Sequence, residues 1–328
     1  MAVFLSDHDV RSLLDWESAI DALHEAYAAP TSEGHFPPRT MARGEQEWMR
    51  TLSGILPGSG VMGAKLIAVS NGHRRGAYLV ALFDLETTEL VALLDGRSIT
   101  GFRTAATSAL AVRCLAPRRP LSVAVIGSGF EATNHLRALA TTMDLTSVRV
   151  FSPSPKSRAR FADSFADLSV DVTPAESPEE AVESADLVVC AARSRDETPT
   201  LRGSWLKAGT TVVSIGSTLP EQRELDPAAI DRADVVVCDQ VREVADETGD
   251  FIAARETGIE FTDKLVTLAD VVSGRAPDRA TADGIVLYKS VGAALQDLTV
   301  AALCARVAEK RGVGVPLDAS ISRAFHEA

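Results

Sequence analysis

Apolar residues recur at helical spacing over residues 7–29, with Val10, Leu13, Leu14, Ile20, Leu23 and Tyr27 on one face, which predicts an amphipathic helix or helix pair. A Pro/Gly-rich stretch from Pro30 to Pro38 follows. The period then shortens. Short apolar runs predict strands at 49–56, 63–69, 77–84 and 90–95, punctuated by Gly and Asn as in a meander of hairpins. A helix is expected from about 101 to 115, ended by Pro117. From Leu121 the pattern changes again. Strand-like runs at 121–126, 147–151, 187–191, 211–215 and 235–238 alternate with helical stretches, the mark of a parallel sheet with helices on its faces. Ala185-Asp-Leu-Val-Val-Cys190 and Ala233-Asp-Val-Val-Val-Cys238 nearly repeat and read as two equivalent strands of one sheet. A last Ala-rich helix over 292–311 is expected to return to cover the first domain, whose small strands need a helical lid.

Composition narrows this picture. Apolar residues make up 46% of the 328 positions and charged residues 24%, an ordinary globular balance. Aromatics are only 5%, so the cores must rely on Ala, Val, Leu and Ile. A formal charge of -12 with no compensating Lys/Arg run argues against a nucleic-acid partner. The first residues carry two Asp and no long apolar stretch, and no run reaches the length of a membrane span. The expectation is a soluble cytoplasmic protein. Cys114, Cys190, Cys238 and Cys304 are far apart and match no metal spacing, and Cys190 and Cys238 lie in apolar runs as core residues do.

The first candidate chemistry lies at the end of the strand over 121–126. It runs into Gly127-Ser128-Gly129-Phe130-Glu131-Ala132, and a helix over 132–140 follows. This is G-x-G-x-x-A between a strand and a helix. The first glycine permits the tight turn, the second lets backbone approach a pyrophosphate, and the small third residue lets helix and strand pack closely. The helix N-terminus then offers N–H groups to a phosphate. With further parallel strands downstream, the segment predicts a Rossmann-type dinucleotide-binding domain. An NAD-selective site usually carries an acid at the end of the next strand. Here Ser152, Ser154, Lys156 and Arg158 stand there, while Asp144 comes before the strand. Hydroxyls and a basic group suit a 2′-phosphate, so NADPH is the expected cofactor, with NADH the second choice. The plain alternative is that Lys156 and Arg158 are exposed residues on the first turns of a helix.

Three cations of the first domain are candidates for a substrate clamp. Lys65 lies in a strand, where alternation alone would point it to solvent. Arg103 falls at the expected helix start, unfavourable for the helix dipole unless an anion is shared by Arg103, Thr104 and the helix N-terminus. Arg39 follows Pro37-Pro38 and has the weakest claim on spacing.

Four segments, Gly63-Ala-Lys-Leu66, Asp95-Gly-Arg-Ser-Ile-Thr-Gly-Phe-Arg-Thr-Ala-Ala106, Gly127-Ser-Gly-Phe-Glu-Ala-Thr-Asn-His135 and Tyr288-Lys-Ser-Val-Gly292, resemble the ornithine cyclodeaminase/mu-crystallin family over almost the whole chain. The resemblance implies a Rossmann-type doubly wound parallel sheet over 116–290. It also implies a separate α+β substrate-binding and dimerisation domain over 1–115, completed by 291–328, in a homodimer. It implies that Arg39, Lys65 and Arg103 hold the substrate carboxylate, with Lys65 also addressing the substrate nitrogen or carbonyl. Arg103 and Thr104 would lie beside the nicotinamide and its phosphates, and Ala191, Ala192 and Gly216 would belong to the strand ends around the ring.

One departure matters. The family's cyclodeaminases carry a catalytic Asp just after the glycine that ends the strand over 211–215, and here the segment reads Gly216-Ser-Thr218-Leu-Pro-Glu-Gln-Arg-Glu-Leu225. A threonine hydroxyl is no general base near neutral pH. Thr218 therefore directs the expectation away from ammonia loss and towards reduction of an imino acid, such as a cyclic ketimine carboxylate, or the reverse amino-acid dehydrogenation. Thr218 is counted with Lys65 and Arg103 as a candidate catalytic residue, and a turn residue with no chemical role is its alternative reading. A cyclodeaminase-type lyase with bound NAD and a non-catalytic NADPH-binding protein are the competing functions. Trp48, Met49, Leu52 and Phe83 are apolar and serve either as substrate-pocket wall or as core.

Overall fold

A computed structural model describes residues 2–194, 197–276 and 282–318. The chain divides into two compact units, one of Met1–Arg103 with Ala293–Ala328 and one of Thr104–Gly292.

The first unit begins with β1 (Ala2–Leu5), then α1 (Asp7–Leu13) and α2 (Trp16–Ala28). Of the two expectations, one helix or a pair, the structure has the pair, because Ser6 caps α1 in a capping box and Asp15 caps α2. The strands β2 (Thr40–Arg43), β3 (Glu47–Leu56), β4 (Val61–Ser70), β5 (Arg75–Asp84) and β6 (Leu90–Asp95) follow. β3 to β6 form the antiparallel meander that the sequence predicts, β2, which it does not predict, adds to the β3 edge, and β1 pairs in parallel with β6. The helix α3 runs over Gly96–Leu115, five residues longer at its start than the periodicity gives. Asp95 Oδ1 accepts from the N–H of Arg97 at 2.9 Å, and Asp7 Oδ1 accepts from the N–H and hydroxyl of Ser98. These two carboxylates satisfy the first helical donors and complement the dipole, so the helix starts there.

The second unit carries β7 (Leu121–Ile126), α4 (Phe130–Thr142), β8 (Leu145–Phe151), α5 (Pro155–Asp163), β9 (Val172–Pro174), α6 (Pro178–Val182), β10 (Leu187–Cys190) and β11 (Thr211–Ser214). It continues through α7 (Pro227–Arg232), β12 (Ala233–Cys238), α8 (Val241–Glu247), α9 (Gly249–Glu256), β13 (Leu265–Thr267), α10 (Leu268–Val272) and β14 (Ile285–Lys289). Its parallel sheet has the order β13-β12-β14-β11-β10-β7-β8-β9. β14, which no sequence pattern singled out, is inserted between β11 and β12 and is buried along its whole length. The order reverses at β7, whose neighbours are β8 and β10. That is the switch point outside which open α/β sheets bind ligands. The core is dominated by Ala, Val, Leu and Ile, and Cys190 and Cys238 lie inside it.

The chain then returns to the first unit. α11 (Ala294–Arg311) packs against α2 and across β3, β4 and β5, and β15 (Val315–Leu317) pairs with β1. The sheet order is β15-β1-β6-β5-β4-β3-β2. The last helix therefore supplies the cover that the small-strand sheet lacks. Among the described residues no helix is long and apolar enough to cross a membrane.

Candidate active site

β4 places Lys65 on the same side as Ile67, and that side is the buried one. The expectation that alternation sends Lys65 to solvent is corrected, because α11 covers this face. Lys65 is 1% exposed, and its Nζ donates to Asp297 Oδ1 on α11 at 2.8 Å. It also lies 5.6 Å from the centroid of the Tyr78 ring. Arg103 Nε is 3.0 Å from the same Asp297 oxygen, and its Nη1 donates to Gln296 Oε1 at 2.8 Å. Gln296 Nε2 in turn donates to the Tyr27 hydroxyl at 2.8 Å. Lys65, Arg103, Gln296, Asp297 and Tyr27 are all buried.

Arg103 does not stand at a helix start. Because α3 begins at Gly96, Arg103 lies in the body of the helix and its guanidinium finds a counter-charge on α11, so the anion-at-the-N-terminus argument for Arg103 and Thr104 does not hold. Thr104 follows it, buried, in the same helix. Arg39 precedes β2 and is half-buried. Of the apolar pocket candidates, Leu52 is core with Ile67 and Ala294, Trp48 packs against that core, Phe83 is half-buried and Met49 is exposed.

Sequence reasoning missed Asp297 and Gln296. Only their pairing with cations could have flagged them, and Asp297 lies 232 positions from Lys65. Two cations share one carboxylate oxygen here. Asp297 Oδ2 has no hydrogen-bond partner among the described residues.

In the second unit the glycine turn sits at the carboxyl end of β7. Gly127 has φ +118°, and a Cβ there would come 2.8 Å from the Ala191 carbonyl oxygen, so only glycine fits. Gly129 is the N-cap of α4, and no side chain caps that helix. A Cβ on Gly129 would meet nothing within 4 Å. Open space before an uncapped helix N-terminus is what a dinucleotide pyrophosphate needs, so these residues fit that group. Phe130 is exposed and Glu131 half-buried on the first turn of α4. The Ser128 hydroxyl donates to Ser152 Oγ at 2.8 Å, tying the turn to the end of β8. Ser154 caps α5. Arg158 is buried rather than an exposed helix residue. It donates to the Ser152 carbonyl at 3.2 Å, pairs with the exposed Glu176 at 3.3 Å and lies over the Phe151 ring.

Ala191 and Ala192 follow β10, and Gly216 follows β11. The two neighbouring strand ends are joined through Glu224, which is fully buried. Its Oε1 accepts from the Ala192 N–H at 3.2 Å, and its Oε2 accepts from the Gly216 N–H at 2.8 Å and from the Ser214 hydroxyl at 2.5 Å. Burial pushes the Glu224 carboxyl up to about 7 against the pull of Lys289 and these donors, with Asp250 adding to the rise. Thr218 lies in the turn beyond, its N–H donating to Gln222 Oε1 at 2.9 Å. Burial also pushes the Cys190 and Cys238 thiols well up, which fits core residues and not nucleophiles.

Residues 1–311 match the model of the ornithine cyclodeaminase/mu-crystallin family. The chain belongs to that family. Relatives within it include ketimine reductase mu-crystallin of Rattus norvegicus, 29% identical over 314 residues, 92% of this chain and 95% of that one. Among solved structures, Delta(1)-pyrroline-2-carboxylate reductase of Thermococcus litoralis in complex with NADH and L-proline aligns with a TM-score of 0.90 and 26% identity, over 96% of this chain and 100% of that one. Iminosuccinate reductase of Paracoccus denitrificans in complex with NAD+ aligns with a TM-score of 0.86 and 25% identity, over 96% and 98%.

Proposed function

We propose that this member of the family is an NAD(P)H-dependent reductase of a small imino acid, a cyclic ketimine carboxylate, which also runs in reverse as an amino-acid dehydrogenase. The observation that carries the reading is the buried cluster of Lys65, Arg103 and Asp297. Two buried cations meet there at one carboxylate, and lysine and arginine are the residue types that take a substrate carboxylate by charge-assisted hydrogen bonds. The reductases named above, which act on imino acids, support the same reading.

In this reading Arg39 and Arg103 hold the carboxylate. Lys65, held in the same cluster, addresses the imine nitrogen, or the oxo group of an open-chain precursor. A proton delivered there makes the C=N carbon more electrophilic. The hydride for that carbon is the chemistry that a bound reduced nicotinamide supplies. Gly127, Gly129 and the first turn of α4, with Phe130 and Glu131, take the pyrophosphate, while Ala191, Ala192 and Gly216 shape the seat of the ring. Thr218 carries no base, so ammonia loss from a diamino acid lacks its proton acceptor.

NADPH is the preferred form in this proposal. No acid follows β8, and Ser152, Ser154 and Arg158 gather where a 2′-phosphate would lie. Glu176 beside Arg158 opposes that preference. A homodimer joined through the first unit belongs to the same proposal and rests on the family resemblance.

The test is nicotinamide oxidation by the purified protein over cyclic imine carboxylates and over oxo acids supplied with ammonia or methylamine, with NADPH and NADH in parallel. At least one imino acid is expected to oxidise NADPH with the higher kcat/KM. Ammonia release from ornithine or lysine without added cofactor, together with no imine reduction, would overturn the reading. T218A is expected to retain reduction, as a turn residue would.

A further inference from the structure

Behind the strand ends of the second unit lies a buried ionic cluster that the imine chemistry above does not use. Lys289 Nζ, at the end of β14, donates to Ser214 Oγ at 2.8 Å and to Asp250 Oδ2 on α9 at 3.0 Å. Because Ser214 Oγ already accepts from Lys289, its own proton points at Glu224 Oε2. Asp250 Oδ1 accepts from the N–H groups of Glu224 and Leu225 at 2.7 and 3.2 Å, which fixes the chain that carries Glu224. All four side chains are completely buried. A Cβ on Gly216 would run into the Glu224 carboxylate, so the glycine is needed for this close approach. Burying two carboxylates and one ammonium is costly, and an apolar packing would be as stable.

We propose that Glu224 is a positioning residue for the cofactor, its carboxylate clamping the chain at Ala192 to the chain at Gly216 and so fixing the surface that seats the nicotinamide. This rests on the functional reading above. Three donors converge on the carboxylate, from Ala192, Gly216 and Ser214. A carboxylate accepts from all three with charge-assisted strength, whereas a protonated carboxyl donates its O–H to Ser214 Oγ, reversing that bond, and holds the Ala192 and Gly216 N–H groups only as a weaker neutral acceptor. The groups facing Glu224 are Lys289 from β14, Asp250 from α9 and the Cys190 thiol from β10. With Lys289 and Asp250 opposed, ionised Glu224 leaves the cluster one charge negative. That favours the cationic oxidised ring over the neutral reduced one. Burial places the changeover near neutrality, at about 7. The clamp is tight above that pH and weaker below it, and the preference between oxidised and reduced cofactor shifts with it.

The test uses the full chain without substrate. Amide hydrogen exchange over 190–194 and 214–219, corrected for intrinsic rates, is followed from pH 5 to 9 in wild type, E224Q and E224D, alongside fluorescence titration with NADH and displacement by NAD+. Wild type is expected to gain protection in both segments as pH rises through about 7, and to bind NAD+ relatively better there. E224Q is expected to lose both pH steps and to bind NADH about tenfold more weakly at pH 8, the effect of about one charge-assisted hydrogen bond. E224D, charged but short, should recover the charge effect on NAD+ and not the protection. Unchanged exchange at both segments across pH in wild type would overturn the inference even if no variant folds. Exchange that follows pH while NADH fails to bind would instead sink the functional reading and leave the clamp without a cofactor to position, which also overturns it.

Discussion

Lys65 Nζ and Asp297 Oδ1 lie 2.8 Å apart although 232 positions separate them, and neither side chain is more than 1% exposed. The carboxylate is shared with Arg103, so one buried anion faces two buried cations. D297A would leave two buried like charges facing each other. A stability loss of about 3–5 kcal/mol is expected from breaking a buried pair on one side. Chemical denaturation measures it, and imine reduction should fall by about a hundredfold or more where the protein still folds. Wild-type stability in D297A would mean the pair is not buried as described.

Arg103 gives its fork to Gln296 and Asp297, a geometry that a lysine cannot copy. R103K is expected to raise KM for the imino acid by about tenfold or more, through loss of charge-assisted bonds of about 1.5–3 kcal/mol. Most of the effect should fall on KM, since a carboxylate clamp holds substrate and transition state alike. Steady-state kinetics checks this, and a fall in kcat alone would assign Arg103 a different role.

Gly127 combines φ +118° with the carbonyl of Ala191 at 2.8 Å from any added Cβ. G127A is expected to cost about 1–3 kcal/mol of stability from backbone strain and more from the clash. NADH affinity should fall with it. Thermal melting with and without NADH separates the two, because a purely structural loss would leave the cofactor-induced rise in Tm intact.

Asp186 lies at the entrance to β10. Burial alone would raise its pKa. Hydrogen bonds from Arg119, Lys207 and Ser122 together outweigh that and hold the carboxyl well below the usual range. Its folded value is therefore below its unfolded one, so its stabilisation is present above the unfolded pKa and is lost as pH falls through the folded value. D186N is expected to lose about 1–3 kcal/mol at pH 7, a range that allows for the exposure of Arg119 and Lys207 to solvent, and to show a flatter acid limb. Denaturation midpoints between pH 2 and 7 measure both, and parallel acid limbs for the two proteins would refute the assignment.

The local pattern of the chain determined what local contacts stabilise. The meander from β3 to β6 follows from alternation, and the turn after β7 follows from glycines whose neighbours lie within one strand-turn-helix segment. The family segments carried the cations of the first unit. Tertiary structure decided what those cations do. Periodicity describes an element in isolation, and it sent Lys65 to solvent because nothing near it in sequence says that α11 covers that face. It placed Arg103 at a helix start because the carboxylate of Asp7, which with Asp95 draws the start back to Gly96, is distant in sequence. It passed over β14, whose place in the middle of the sheet and whose Lys289 complete the Glu224 cluster. Partners of a buried charge are fixed by desolvation, which requires a counter-charge wherever the chain can bring one, and the fold alone decides where that is.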